Sequence, residues 1–245
     1  MPQAIKLIWR LDYDVSYAYL DRRGSALATL NVEANLWEKV GEGAVSMSFV
    51  ARTENEGHMR NISVEPTCLN GAIEWRQGTE LKKVLEDRSF RGTNRVVEEL
   101  AKVCEIRMLK RAGIRFFCVD RYADGKAGGV DRFSALIDQR YLKDVGGTLG
   151  KLEDLAFVFE GVTSDKISYR AHFGPFAKKN VEQVLEAKPS DDLKALGEQD
   201  LFFDIDLFET NISFVEHSLF RWAKTKVEKA DAFIAKCRGE QGQYR

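Results

Sequence analysis

Ile5-Lys6-Leu7-Ile8-Trp9-Arg10-Leu11-Asp12-Tyr13 sets Ile5, Leu7, Trp9, Leu11 and Tyr13 against Lys6, Arg10 and Asp12. Residues two apart on a strand share a face, so this pattern predicts a strand with one buried side. A second such stretch stands far down the chain. In Phe202-Phe203-Asp204-Ile205-Asp206-Leu207-Phe208, the apolar residues Phe203, Ile205 and Leu207 alternate with Asp204 and Asp206. Strands that are apolar on one side and polar on the other belong to an antiparallel sheet covered on one face.

Outward from these two stretches, further strand patterns run over Val45–Arg52, Met59–Glu65 and Ala72–Arg76. Asn55-Glu56-Gly57 and Leu69-Asn70-Gly71 separate them. The Asn70-Gly71 step predicts a hairpin turn, because both residue types accept positive φ. From Ser16 to Trp37 the spacing predicts two short helices, broken at Arg22-Arg23-Gly24. Between Thr93 and Lys110, Val97, Leu100, Ala101, Cys104 and Met108 recur at helical spacing, and Gly113 is expected to stop that helix before a strand over Ile114–Tyr122.

The loop Ala123–Gly129 marks an internal boundary. After it the pattern predicts a helix near Asp131–Leu142, strands at Ala156–Val162 and Ile167–Phe173, a helix near Lys178–Ala187 and the Phe202–Phe208 strand. Ser213-Phe214-Val215-Glu216 reads as a capping box, and Leu219, Ala223, Val227, Ala230, Ile234 and Cys237 continue it as a long amphipathic helix. Residues 239–245 are polar and uncapped, a frayed tail. The fold expected is α+β, a mainly antiparallel sheet packed against a mid-chain helix and a long C-terminal helix, in one domain over residues 1–238. Element order also reads as two related halves, 1–122 and 130–238, without any repeat of residue identity. A regular βαβα alternation is absent, which excludes a doubly wound parallel sheet.

Composition narrows the function classes. The 245 residues carry 37 Lys and Arg against 38 Asp and Glu, with 44% hydrophobic residues, so the chain can bury a core and has no global field to attract nucleic acid. No run approaches the roughly 18 apolar residues of a membrane span, and no secretory signal opens the chain, so a cytoplasmic location is expected. Cys68, Cys104, Cys118 and Cys237 share no metal or disulfide spacing and read as reduced, mostly buried thiols.

Each chemical motif has a plainer structural explanation. Asp204 and Asp206 project to one side of their strand and suit a hard metal ion, with Asp120 as a third ligand and Arg115 or Arg121 on a phosphate. Simple strand alternation produces the same pair. His58, His172 and His217 lack a second ligand at metal spacing, and no spacing recommends a Cys118–His172 nucleophile pair. Gly146–Lys151 has the wrong spacing for a phosphate loop, and Gly125–Gly129 has the composition of a linker. Arg88, Arg91, Arg95, Arg111 and Arg115 form the densest basic stretch and the one local patch open to nucleic acid, although interleaved acids such as Glu98 offer helical pairing instead. Trp9, Trp75 and Trp222 would line a ligand pocket between sheet and long helix if they converged.

Asn61–Pro66, Gly71–Arg76, the helix from Thr93, Ala112–Phe117 and Phe202–Phe208 before a long helix follow one another in an order that resembles a sporadically distributed bacterial protein family of about this length, one with no established activity. The aromatic-Pro step that the family shows after its Trp strand is replaced here by Arg76-Gln77-Gly78-Thr79. The resemblance implies a single α+β unit and assigns no functional residue. The expected function is therefore a non-enzymatic binding protein of the bacterial cytoplasm, with a protein partner or homo-oligomer and no cofactor. A metal-dependent hydrolase or nuclease using Asp204 and Asp206 is the alternative, and a small-ligand-binding protein the second.

Overall fold

A computed structural model of the chain describes residues 1–32, 39–43, 47–54, 57–120, 148, 155–175, 182–186, 188–196, 200–216 and 218–237. The strands are β1 (Gln3–Asp12), β2 (Lys39–Glu42), β3 (Phe49–Glu54), β4 (His58–Val64), β5 (Cys68–Glu80), β6 (Met108–Asp120), β7 (Phe157–Val162), β8 (Ser168–Pro175) and β9 (Leu201–Ser213). They form one nine-stranded sheet in the order β2-β3-β4-β5-β1-β6-β9-β8-β7, and every neighbouring pair is antiparallel. Among the described residues the helices are α1 (Tyr17–Asp21), α2 (Arg23–Val32), α3 (Arg88–Val103), the single turn α4 (Asp191–Lys194) and α5 (Leu219–Cys237), with a 3-10 helix over Leu81–Glu86 before α3. The fold is the expected α+β arrangement, and none of these helices is long and apolar enough to cross a membrane.

The sheet order has an internal symmetry. β1 is flanked by β5, β4 and β3, β6 is flanked by β9, β8 and β7, and β1 and β6 pair at the centre. Each three-stranded meander ends beside its own opening strand and is followed by a long helix, α3 in one case and α5 in the other. In this arrangement β6 opens the second set of strands, so the repeat in topology divides between α3 and β6. Sequence reading assigned that strand to the first half instead.

Alternation sends Leu7, Trp9 and Leu11 of β1, Ile114 and Phe116 of β6, and Phe203, Ile205 and Leu207 of β9 to one face. There they join Phe90, Val97, Leu100, Leu219, Ala223 and Ile234 of the helices in one core. Several local expectations change. Asn70-Gly71 lies inside β5; the turn is made instead by Glu65, Pro66 and Thr67, closed by a 2.9 Å bond donated from Glu65 N to Cys68 O. Gly71 serves packing: a Cβ there would sit 2.8 Å from the Trp9 ring and 2.5 Å from Asn61 O.

α3 starts earlier than expected because Asp87 caps it, accepting from Ser89 N at 2.8 Å. It ends before Gly113, at Cys104 and Glu105. Glu105 takes φ 53°, and Ile106 N donates back to Ala101 O at 2.8 Å. Gly113 is a residue of β6. The Ser213–Glu216 capping box does not form, because β9 runs on to Ser213, paired with Met108. Ser218 caps α5 in its place, accepting from Arg221 N at 3.3 Å. Expectations for Gly125–Gly129, Asp131–Leu142, Gly146–Gly147, Leu149–Lys151, 178–181, His217 and 239–245 fall outside the described residues.

Candidate functional site: the polar face of the sheet

The helices α3 and α5 pack on one face of the sheet, and the other face carries the charged half of each alternating strand. One end of that second face is covered by residues 182–186 and 188–196. Val184, Leu185, Leu193 and Leu196 pack there on Ile5, Phe117, Val119 and Phe202. An ion pair inside the sheet fastens this strap. Lys6 Nζ lies 2.6 Å from Glu74 and donates to Val184 O at 2.7 Å, while Glu186 N donates to the Glu74 carboxylate at 3.0 Å. Lys6 and Glu74 are both buried, so their charges are tolerable only because each also reaches the main chain of the strap.

Beyond the strap the face holds a row of guanidinium and carboxylate groups. Arg115 of β6 grips Asp204 of β9 with two parallel bonds, Nε to Oδ1 at 2.6 Å and Nη2 to Oδ2 at 2.5 Å, and its guanidinium lies 4.8 Å from the Phe117 ring centre. Arg111 stands 3.9 Å from Asp206 and 4.5 Å from the Phe208 ring. Arg170 of β8 pairs with Glu160 of β7 at 3.1 Å, and Arg10 with Asp12 at 2.7 Å. Burial raises the Asp206 carboxyl above the ordinary range, opposed by Arg111 and Arg115. The Asp204 bridge raises the Arg115 guanidinium.

Between the strap and this row lies a cavity of about 400 Å³. Ile8, Phe117, Val184 and Phe202 supply its apolar walls; Lys6, Arg115, His172, Gln183 and Asp204 supply its polar groups. Five polar side chains thus converge with four apolar ones in one concave site.

The residues singled out from sequence are distributed unevenly over the sheet. Asp204 and Asp206 do share a face, but both Asp204 oxygens are held by Arg115. Asp120 falls on the opposite, helix-covered side, buried, with the N-terminal ammonium 3.7 Å away. No group of three or more His, Cys, Asp or Glu suited to a metal ion occurs among the described residues. Cys118 and His172 lie on opposite faces, and burial raises the Cys118 thiol far above its ordinary value. The basic stretch is divided by the sheet: Arg88, Arg91 and Arg95 belong to α3 on one side, Arg111 and Arg115 to the polar face on the other.

Trp9 and Trp75 are core residues, and Trp222 donates Nε1 to Glu209 at 2.9 Å. The cavity of about 250 Å³ that does lie between sheet and long helix is lined by Tyr169, Ala171, Ile205, Leu207 and Phe233 rather than by tryptophan. Lys6 reads from the sequence as a polar residue of its strand and His172 only as a candidate ligand or partner of Cys118, while Arg170 is not singled out. Strand pairing brings them to the polar face, His172 opposite Asp204 and Arg170 opposite Asp206. No family model, no curated protein and no solved structure matches the chain.

Proposed function

We propose that this chain is a non-enzymatic binding protein of the bacterial cytoplasm, and that it holds a protein partner, a second copy included, through the polar face of its sheet. The observation that carries this reading is the Arg115–Asp204 bridge set in a row of paired, solvent-accessible charges. The Asp204 carboxylate is committed at both oxygens to a bridge with Arg115, and half-exposed guanidinium groups fixed by such bridges are preorganised for a complementary surface. Free cysteines throughout the described residues suit a reducing compartment. The bacterial setting rests on the resemblance of Asn61–Pro66, Gly71–Arg76 and Phe202–Phe208 to the bacterial family.

The test is affinity purification of tagged protein from its native cell, comparing wild type with Arg115→Ala and with Arg221→Ala on α5. The proposal expects a stoichiometric partner that the Arg115 variant loses and the Arg221 variant keeps. Equal capture by all three proteins would overturn it. A small-ligand-binding protein is the second reading, favoured by the cavity under the strap, and a small molecule released from purified wild type but not from Arg115→Ala would select it.

A further inference from the structure

We propose that a second copy of the chain docks on the outer edge of β7, strand against strand and antiparallel, with Phe159 on the two-fold axis. This rests on the reading of the chain as an interaction protein, and it names one partner and the surface that receives it. The phase of the β7–β8 ladder identifies the groups on that edge. Thr163 N donates to Ile167 O at 2.8 Å where the hairpin closes, so Thr163 and Ile167 face each other as a hydrogen-bonded pair. Counting back along the register, Gly161 with Tyr169 and Phe159 with Ala171 are the next hydrogen-bonded pairs. The backbone N–H and C=O groups of Val158, Glu160 and Val162 therefore point away from β8, and among the described residues no strand pairs with them.

The two edges of the sheet differ in how they are protected. β2, at the far edge, is four residues long and exposes Glu42. β7 has no lysine and no proline, and it exposes Val158 at 53%, Phe159 at 44% and Val162 at 65%. An edge that is apolar except for Glu160, which is already bridged to Arg170, is a template for another strand, and its unpaired peptide groups specify an extended chain as the occupant.

Charge narrows the registers open to self-pairing, and the one proposed puts Phe159 on the axis. A two-fold axis through Glu160 would set Glu160 directly against its own copy, which is unfavourable. An axis through Gly161 would leave only Glu160–Val162 paired. With the axis at Phe159, Val158 of each copy exchanges hydrogen bonds with Glu160 of the other, and Phe159 meets its copy across a non-hydrogen-bonded pair. Each Glu160 then keeps its 3.1 Å bridge to Arg170 and faces a valine. The resulting sheet runs continuously through both copies and sets their two polar faces side by side.

Sedimentation of the full chain over micromolar to high-micromolar concentrations tests this, together with Val158→Pro, Val158→Glu, which sets a like charge opposite Glu160 of the other copy, and, in a Cys237→Ser background, Phe159→Cys and Val158→Cys. The cysteine positions are informative because Cα atoms in a non-hydrogen-bonded antiparallel pair lie about 4.5 Å apart, within disulfide reach. The expected result is a species of twice 27.8 kDa. Either Val158 substitution should return it to monomer with unchanged circular dichroism, and Phe159→Cys but not Val158→Cys should cross-link on mild oxidation. A monomer at every concentration, or a dimer indifferent to both Val158 substitutions, would overturn the proposal. If a monomeric protein still loses its cellular partner on Arg115→Ala, this inference fails while the reading of the polar face stands.

Discussion

On its helix-covered side the sheet keeps charge inside: Lys226 of α5 is buried against Glu209 of β9, which also accepts from Trp222 Nε1. On the other side the guanidinium groups of Arg10, Arg111, Arg115 and Arg170 are 47 to 67% exposed, each over a carboxylate partner that is more covered than it is. The same strands supply both faces, since alternate residues point opposite ways. Pairing register is therefore fixed by the apolar set, because a one-residue slip would expose Trp9, Phe116 and Phe203 together. The polar set carries little of that burden and is free to be chosen for a partner. Substitutions should accordingly separate stability from binding according to the face on which they fall.

The largest effects are expected on the covered face. Trp9→Ala and Phe203→Ala should each cost about 3–5 kcal/mol in urea unfolding, because both side chains are wholly buried in the common core. Lys6→Met tests the border between the faces. Leaving Glu74 buried without its cation should cost about 3–5 kcal/mol, and limited proteolysis should find new cleavage within residues 182–196 as the strap detaches. The double variant Lys6→Met with Glu74→Leu should recover most of that stability. Recovery would show that the pair specifies where the strap lies more than it stabilises the fold.

Much of this contrast was legible in the sequence. The period of two over Leu7–Leu11 and Phe202–Phe208 identified the strands and their polar side, and the spacing from Leu219 to Cys237 the long helix; Ile5 falls with Leu7 and Trp9 in the sequence pattern, but the register shift between Ala4 and Lys6 turns it to the strap side. Asn70-Gly71 misled because a glycine that admits positive φ and a glycine that makes room for an indole ring are the same letter. Ser213–Glu216 misled because the strand partner Met108, more than a hundred residues away, continues β9 over a perfectly good cap. The polar face itself was half legible. Asp204 and Asp206 were visible as a pair, but their cations, Arg115 and Arg111, come from β6, and no local pattern announces which arginine will lie across from which aspartate.

On the polar face, Arg115→Ala should change stability by no more than about 1 kcal/mol in the same urea titration, since a half-exposed ion pair is screened by water. A larger loss would mean that this face also holds the fold together and would erase the contrast. The smallest effect concerns pH. Burial raises the Asp206 carboxyl above its unfolded value, so the native state binds more protons through that interval, and stability falls as pH rises from the unfolded value to the native one. Asp206→Asn should remove that slope and leave the protein slightly more stable at neutral pH, a difference that thermal unfolding across the acid range would detect.

The claim that the polar face is the binding surface is tested most directly by arginine-selective modification with phenylglyoxal, read by mass spectrometry on the protein in its native assembly and alone. The account predicts that Arg111, Arg115 and Arg170 become protected in the assembly, while Arg22 and Arg221, on the helix side and 48% and 70% exposed, react as before. Protection of Arg22 and Arg221 with unchanged reaction at Arg111, Arg115 and Arg170 would place the interface on the helices and contradict it.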